Sequence, residues 1–140
     1  MSHYVKCKTH IKDRKTLITA LERAGVPTKF IKISDNGKSI DLNGFINNSG
    51  ITKAEVVVSK GYHNGYGDVG YVLDKDGTYL CVVDDMDDVG SLAKKAGVNS
   101  FTTSVNNWYG ALKSQKALKM QGLDAKITSS GSKIVVLAKG

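Results

Sequence analysis

Three turn signals constrain this chain more than any other feature. Asn36-Gly37, Asp74-Lys75-Asp76-Gly77 and Ser130-Gly131 each separate two short runs with strand character. Runs joined by so few residues pair antiparallel, because a parallel neighbour needs a crossover of about a dozen residues or more. The paired runs are Phe30 to Ser34 with Lys38 to Leu42, Val69 to Leu73 with Thr78 to Val83, and Ala125 to Thr128 with Lys133 to Ala138. Two further strands are expected. In residues 3 to 11, Val5, Cys7, Thr9 and Ile11 alternate with Lys6, Lys8 and His10, and Ala54 to Lys60 holds three consecutive valines. Residues 43 to 53 read as a polar connection.

Two stretches carry the main helical stripes. Leu17, Ile18, Leu21 and Ala24 follow the capping residue Asp13 and stop at Gly25 and Pro27. Phe101, Val105, Trp108 or Tyr109, and Leu112 mark a longer helix from about Phe101 to Gln121, ended by Gly122. A short helical segment is expected around Ser91 to Ala96, with the acids Asp84 to Asp88 at its entry, where they oppose the positive end of the helix dipole. The 140 residues, 15.0 kDa in mass, fit one domain. The reading is a single α+β domain over residues 1–140, its antiparallel sheet covered on one face by the helices near 13–24 and 101–121. Its expected core is Val5, Cys7, Leu17, Leu21, Val56, Val58, Tyr71, Cys81, Val105, Leu112 and Val136.

Charge is segregated along the chain, whose net value is +7. Residues 1 to 60 hold eleven cations and five anions, 61 to 90 one and seven, and 91 to 140 eight and one. All the cations except Arg14 and Arg23 are lysines. Lysine suits point-charge attraction to phosphate rather than bidentate readout, and the same bias follows from codon drift in an AT-rich genome. No run approaches the ~20 apolar residues of a spanning helix, and the N-terminus lacks a secretory stretch, so an unexported, cytoplasmic protein without a membrane partner is expected. Cys7 and Cys81 match no metal spacing and read as buried free thiols in a reducing compartment; a disulfide between them is the alternative, opposed by the lack of a secretory stretch.

Several motifs invite chemistry and meet a simpler explanation. Gly65-Tyr66-Gly67-Asp68-Val69-Gly70 matches the dinucleotide fingerprint and, with Val72, the glycine-rich loop of protein kinases. A strand follows it rather than a helix, so the pyrophosphate would find no helix N-terminus, and the other kinase elements are missing. These glycines read as loop and bulge formers. Asp84, Asp85, Asp87 and Asp88 offer hard oxygen ligands for Mg²⁺, although helix capping also accounts for them. His3, His10 and His63 read as solvated surface residues. No Gly-x-Ser-x-Gly elbow supports a serine hydrolase.

Residue blocks along the chain are similar to the hypothetical chloroplast reading frame thirty-five family of plastids, cyanobacteria and related phages. They are Met1-Ser2-His3, Lys8-Thr9, Ile11-Lys12-Asp13 and Leu17 to Leu21, then Gly67 to Val72 and Tyr79 to Asp84. Phe101, Val105, Tyr109, Gly122-Leu123 and Ser130 to Leu137 complete the set. Residues 35 to 53 and 86 to 98 diverge, and the family's usual terminal pair of a basic and an aromatic residue is missing. The resemblance implies a stroma-like or bacterial cytoplasm, or a phage-infected cell, and carries over no catalytic residue.

The expectation is a small binding or adaptor protein with no cofactor and no catalytic set, acting through a protein partner. Tyr62, Tyr66 and Phe45 would form its contact patch, with His63 beside them. A basic nucleic-acid binder is the alternative, using Lys6, Lys8, Lys12, Lys94, Lys95, Lys113, Lys116 and Lys119, with Tyr62 and Tyr66 stacking on bases. A third reading is a metal-assisted phosphoester hydrolase built on Asp84, Asp85, Asp87 and Asp88.

Overall fold

The computed structural model describes residues 3–35, 38–44, 50–130 and 133–140. Strand β1 (Tyr4–Lys8) leads through a short loop to helix α1 (Arg14–Arg23). Asp13 starts that helix by accepting hydrogen bonds from Lys15 N at 3.1 Å and Thr16 Oγ at 2.7 Å, which satisfies donors the first turn leaves open. Leu17, Ala20 and Leu21 are its buried face, and Gly25 ends it at φ 112°. Strands β2 (Ile31–Ile33), β3 (Ile40–Asp41), β4 (Lys53–Ala54), β5 (Val56–Val58), β6 (Val69–Leu73) and β7 (Tyr79–Asp84) follow. Then come helices α2 (Asp85–Val89), α3 (Ser91–Ala96) and α4 (Phe101–Met120), and strands β8 (Asp124–Ser130) and β9 (Lys133–Lys139).

The main sheet is antiparallel, in the order β1-β7-β6-β5-β2. Its ladders put Cys7, Cys81, Tyr71, Val56 and Ile33 in one row, on the face that α1 and α4 cover. The next row, Lys6, Val82, Gly70, Val57 and Lys32, lies on the reverse face, since successive side chains alternate across a strand. This is the expected α+β domain, with the helices on one face. The reverse face is dry at its centre as well: Val57 and Val82 have no exposed surface. Leu42 and Ala54, from β3–β4 and its approach, lie on Gly70, where a Cβ would come within 2.9 Å of the Leu42 side chain. Leu42 and Ala54, the last residue of one expected strand and the first of another, thus supply a second cover besides the one face of helices that was expected.

Two other expectations need correction. The Asn36-Gly37 turn lies outside the described residues, but the runs beside it do not pair with each other. Ile31 and Ile33 lie opposite Val58 and Val56, and Ile40 lies opposite Ala54. All three valines of β5 are buried, so that strand needs a neighbour on each side, and the Ile-Lys-Ile alternation of β2 supplies the matching apolar face. The helix expected at Ser91 to Ala96 forms as α3, but the acids expected at its entry make a short helix of their own. Asp84 caps α2, accepting from Met86 N at 3.0 Å and Asp87 N at 3.1 Å, so Asp85, Asp87 and Asp88 form its first turn.

The β6–β7 hairpin closes as expected, with Asp74 N bonded to Thr78 O at 2.8 Å and Gly77 at φ 85°. The β8–β9 ribbon also forms but stands apart from the main sheet and packs on α4. Gln115 Nε2 donates to Ala125 O at 2.9 Å, and Ile127 and Ile134 touch the main core. Of the expected core, Val5, Leu112 and Val136 are only half-buried and Cys7 is exposed, because β1 is an edge strand and β9 pairs on one side only. Among the described residues no helix is long and apolar enough to cross a membrane.

Candidate functional site

The acidic middle segment folds inward. Asp68, Asp84 and Asp87 are each at most 2 % exposed. A buried carboxylate is tolerated only when donors surround it, and each of these has them. Asp68 accepts from Lys60 N at 2.7 Å and Asn43 N at 2.8 Å, which ties the segment before β6 to the reverse-face cover. Asp87 accepts from Tyr66 N at 3.0 and 2.9 Å, from Gly67 N at 3.1 Å and from the Ser91 hydroxyl at 3.2 Å. The amides of the glycine-rich run therefore surround the chain's own carboxylate, in the manner of an anion-binding nest. Gly67 has no space for a side chain because the Tyr4 hydroxyl, which donates to Asp68 O at 3.1 Å, fills it.

The remaining acids of the expected metal set are also engaged, each in a different direction. Asp84 caps α2, Asp85 accepts from His3 N at 2.9 Å, and Asp88 accepts from Thr102 N at 2.8 Å and from the Ser100 and Thr102 hydroxyls at 3.0 Å. Among the described residues no three His, Cys, Asp or Glu side chains gather as a metal ion requires.

His63 is 8 % exposed, a correction to its reading as a surface residue. Its Nδ1 is 2.7 Å from Ser91 Oγ and its Nε2 is 3.1 Å from Gly67 O. A carbonyl can only accept, so the neutral ring carries its proton on Nε2, and the single hydrogen of the Ser91 hydroxyl is shared between His63 Nδ1 and Asp87 Oδ1. Burial pushes the imidazole below its ordinary pKa, against the opposing pull of Asp87, the Gly67 carbonyl, Asp68 and Asp84. Serine, histidine and aspartate thus meet, but not as in a hydrolase, where the carboxylate orients the ring. Here Asp87 holds the serine and the loop amides. Gly65 closes the cluster, since a Cβ there would overlap Asp87 Oδ1, His63 Nδ1 and Ser91 Oγ together. No reacting group fits between them. Sequence reasoning missed Ser91, whose only signal is its place two residues after an acidic helix.

Tyr62 is 3 % exposed and packs on Phe30 with ring centroids 5.9 Å apart, which corrects its reading as a loop contact. Tyr66 is 49 % exposed, and Phe45 lies outside the described residues. The cations behave differently: Lys6, Lys8, Lys113, Lys116 and Lys119 are all exposed. Lys8, His10 and Lys113 line a groove of about 310 Å³ floored by Tyr109 and Gly110, between the end of β1 and α4. Lys15 and Lys116 line the next groove, about 240 Å³, between α1 and α4. The Tyr109 hydroxyl accepts from Lys12 N and Asp13 N at 3.1 Å each, and Lys113 Nζ is 3.7 Å from Asp13, so these contacts pin the loop between β1 and α1 to α4. Lys6 and Lys119 line neither groove. His10 and Lys15 were not among the expected site residues, although His10 shares the basic side of the first strand with Lys6 and Lys8.

No family model, no curated protein and no solved structure matches this chain. The resemblance to the plastid reading-frame family rests on the residue blocks that carry it.

Proposed function

We propose that this protein binds nucleic acid through its phosphate backbone, along the basic band from Lys8 and His10 over Lys113 to Lys116 and Lys15. The observation that carries this reading is the alignment of two adjacent grooves across α4, each edged by lysine from two different elements. Three acids of the middle segment, Asp68, Asp84 and Asp87, are buried and bonded to amides, and Asp13, which lines the second groove, is paired with Lys113 at 3.7 Å and caps α1. Lysine supplies point charges, and among the described residues only Arg14 and Arg23 offer a planar fork, so the band positions a backbone without reading bases. No catalytic step is assigned.

A protein partner is the second reading. Met86 and Val89, 52 % and 61 % exposed, sit three residues apart on α2 and offer an apolar contact.

Fluorescence anisotropy with single- and double-stranded oligonucleotides tests the first reading, between about 50 and 200 mM salt. Binding that weakens steeply with salt and is lost in Lys113→Glu with Lys116→Glu is expected. Absence of binding at the low-salt end, or binding that ignores both salt and the substitutions, would overturn it.

A further inference from the structure

We infer that Cys7 and Cys81 form a redox site, in which an oxidant of the peroxide class joins them into a disulfide that locks the edge strand β1 onto β7. These are the chain's two cysteines, distant in sequence, and the ladder sets them directly opposite each other on one face of the sheet. Both are free thiols. Asp85 N donates to His3 O at 2.9 Å, which marks His3 and Asp85 as a hydrogen-bonded pair of the ladder. Such pairs recur at every second residue, so Cys7 and Cys81 form one too, with Cα atoms about 5.5 Å apart. Disulfides span Cα separations of about 4.4–6.8 Å with Cβ atoms about 3.5–4.5 Å apart, so the Cα spacing suits the bond and β1, free on its outer side, draws in by about 1 Å to close it.

The two thiols differ in access. Cys7 is exposed on the open edge, whereas Cys81 is buried between β1 and β6. In the same row, the buried Tyr71 hydroxyl lies on the neighbouring strand opposite Cys81 and has no hydrogen-bond partner among the described residues. Burial and the Asp88 carboxylate hold the Cys7 thiol above its ordinary range, and burial holds Cys81 far above it. Few thiolates therefore exist at neutral pH, and the site responds to sustained rather than mild oxidation.

The chemistry balances as two steps. The Cys7 sulfur attacks the peroxide O–O bond and becomes a sulfenic acid as one water leaves. The Cys81 sulfur then attacks the Cys7 sulfur, the S–S bond forms, and the Cys81 proton departs with the sulfenic oxygen as a second water. Two electrons pass from the sulfurs to peroxide. The product ties the middle of a strand that has one neighbour only.

The test treats the folded protein with hydrogen peroxide, blocks remaining thiols, and maps peptides without reduction. Expected is one monomeric product, lighter by two hydrogens, containing a Cys7–Cys81 linked peptide and restored by dithiothreitol. Amide exchange at Val5 and Cys7, whose N–H groups face β7 in the hydrogen-bonded pairs, should slow at least tenfold in the oxidised form. The variant Cys7→Ser changes an exposed edge residue, and its Cys81 should stay unmodified under the same treatment. Three results would overturn the inference: over-oxidised or dimer-linked Cys7 beside an intact Cys81 thiol, oxidation of Cys81 without Cys7, or a disulfide that leaves exchange in β1 unchanged.

Discussion

Both carboxylate oxygens of Asp87 lie within 3.0 Å of the Tyr66 amide nitrogen. A carboxylate from α2 thereby organises the run that most resembles a phosphate loop, and the Tyr66 and Gly67 amides are already taken.

Replacing Asp87 with Asn should destabilise the protein by about 3 kcal/mol. The amide nitrogen brings donors of its own where Tyr66 N and Gly67 N need an acceptor, and buried donors without partners cost about 1–3 kcal/mol each. Urea unfolding at neutral pH measures the loss. A change below about 0.5 kcal/mol would mean that these bonds do not hold the loop.

Two glycines should respond differently to alanine. At Gly67 a methyl group has to displace the Tyr4 hydroxyl and approach the Gly44 backbone, so Gly67→Ala should cost more than about 3 kcal/mol or prevent folding. At Gly77 nothing lies near the added carbon and only the φ of 85° opposes it, so Gly77→Ala should cost about 1 kcal/mol. Thermal unfolding of both variants checks the order.

His63 gives stability a pH dependence of known sign. Its pKa is lowered in the folded state, so the unfolded chain takes up the proton first as pH falls below the ordinary value of 6.5. The contribution of neutral His63 is complete above that value and declines as pH drops toward the depressed folded value. Subtracting the unfolding free energies of His63→Gln from those of the native chain, point by point from neutral to mildly acidic pH, should reveal this slope. A flat difference, or one that rises as pH falls, would contradict it.

The basic band predicts a salt slope. With duplex DNA, each phosphate contact contributes about 0.9 to the slope of log K on log salt, so Lys8→Gln with Lys113→Gln should reduce its magnitude by about 1.8. Lys119→Gln, outside both grooves, should leave it nearly unchanged. Equal effects from the two variants would show that the charge acts diffusely rather than along the grooves.

Features decided within a few residues were legible in the sequence. Asp13 as a cap, Gly77 in its turn and the inward stripe of Phe101 and Val105 need only their neighbours. The partner of β2 was not legible, since Asn36-Gly37 favours a local hairpin while three buried valines in β5 demand a distant strand. The inward turn of Asp68, Asp84 and Asp87 was hidden for a related reason. A carboxylate reads as surface until the amides that receive it are located, and those of Tyr66 and Gly67 belong to another segment. His63 and Tyr62 sit in a stretch whose composition resembles an exposed loop, yet α3 and Phe30 close over them.

The pairing of β1 with β7 also dictates a timetable for synthesis. Tyr4 finds its ladder position opposite Asp84, so β1 has no place in the sheet until β7, about 75 residues later, has been made. Helix α1 waits likewise, because the strands it covers come later in the chain. Such distant closure slows folding relative to a chain of local hairpins. The segment that carries the lysines at 6, 8 and 12 is thus a charged tether until Asp84 has been added, and only then can β1 close the edge of the sheet.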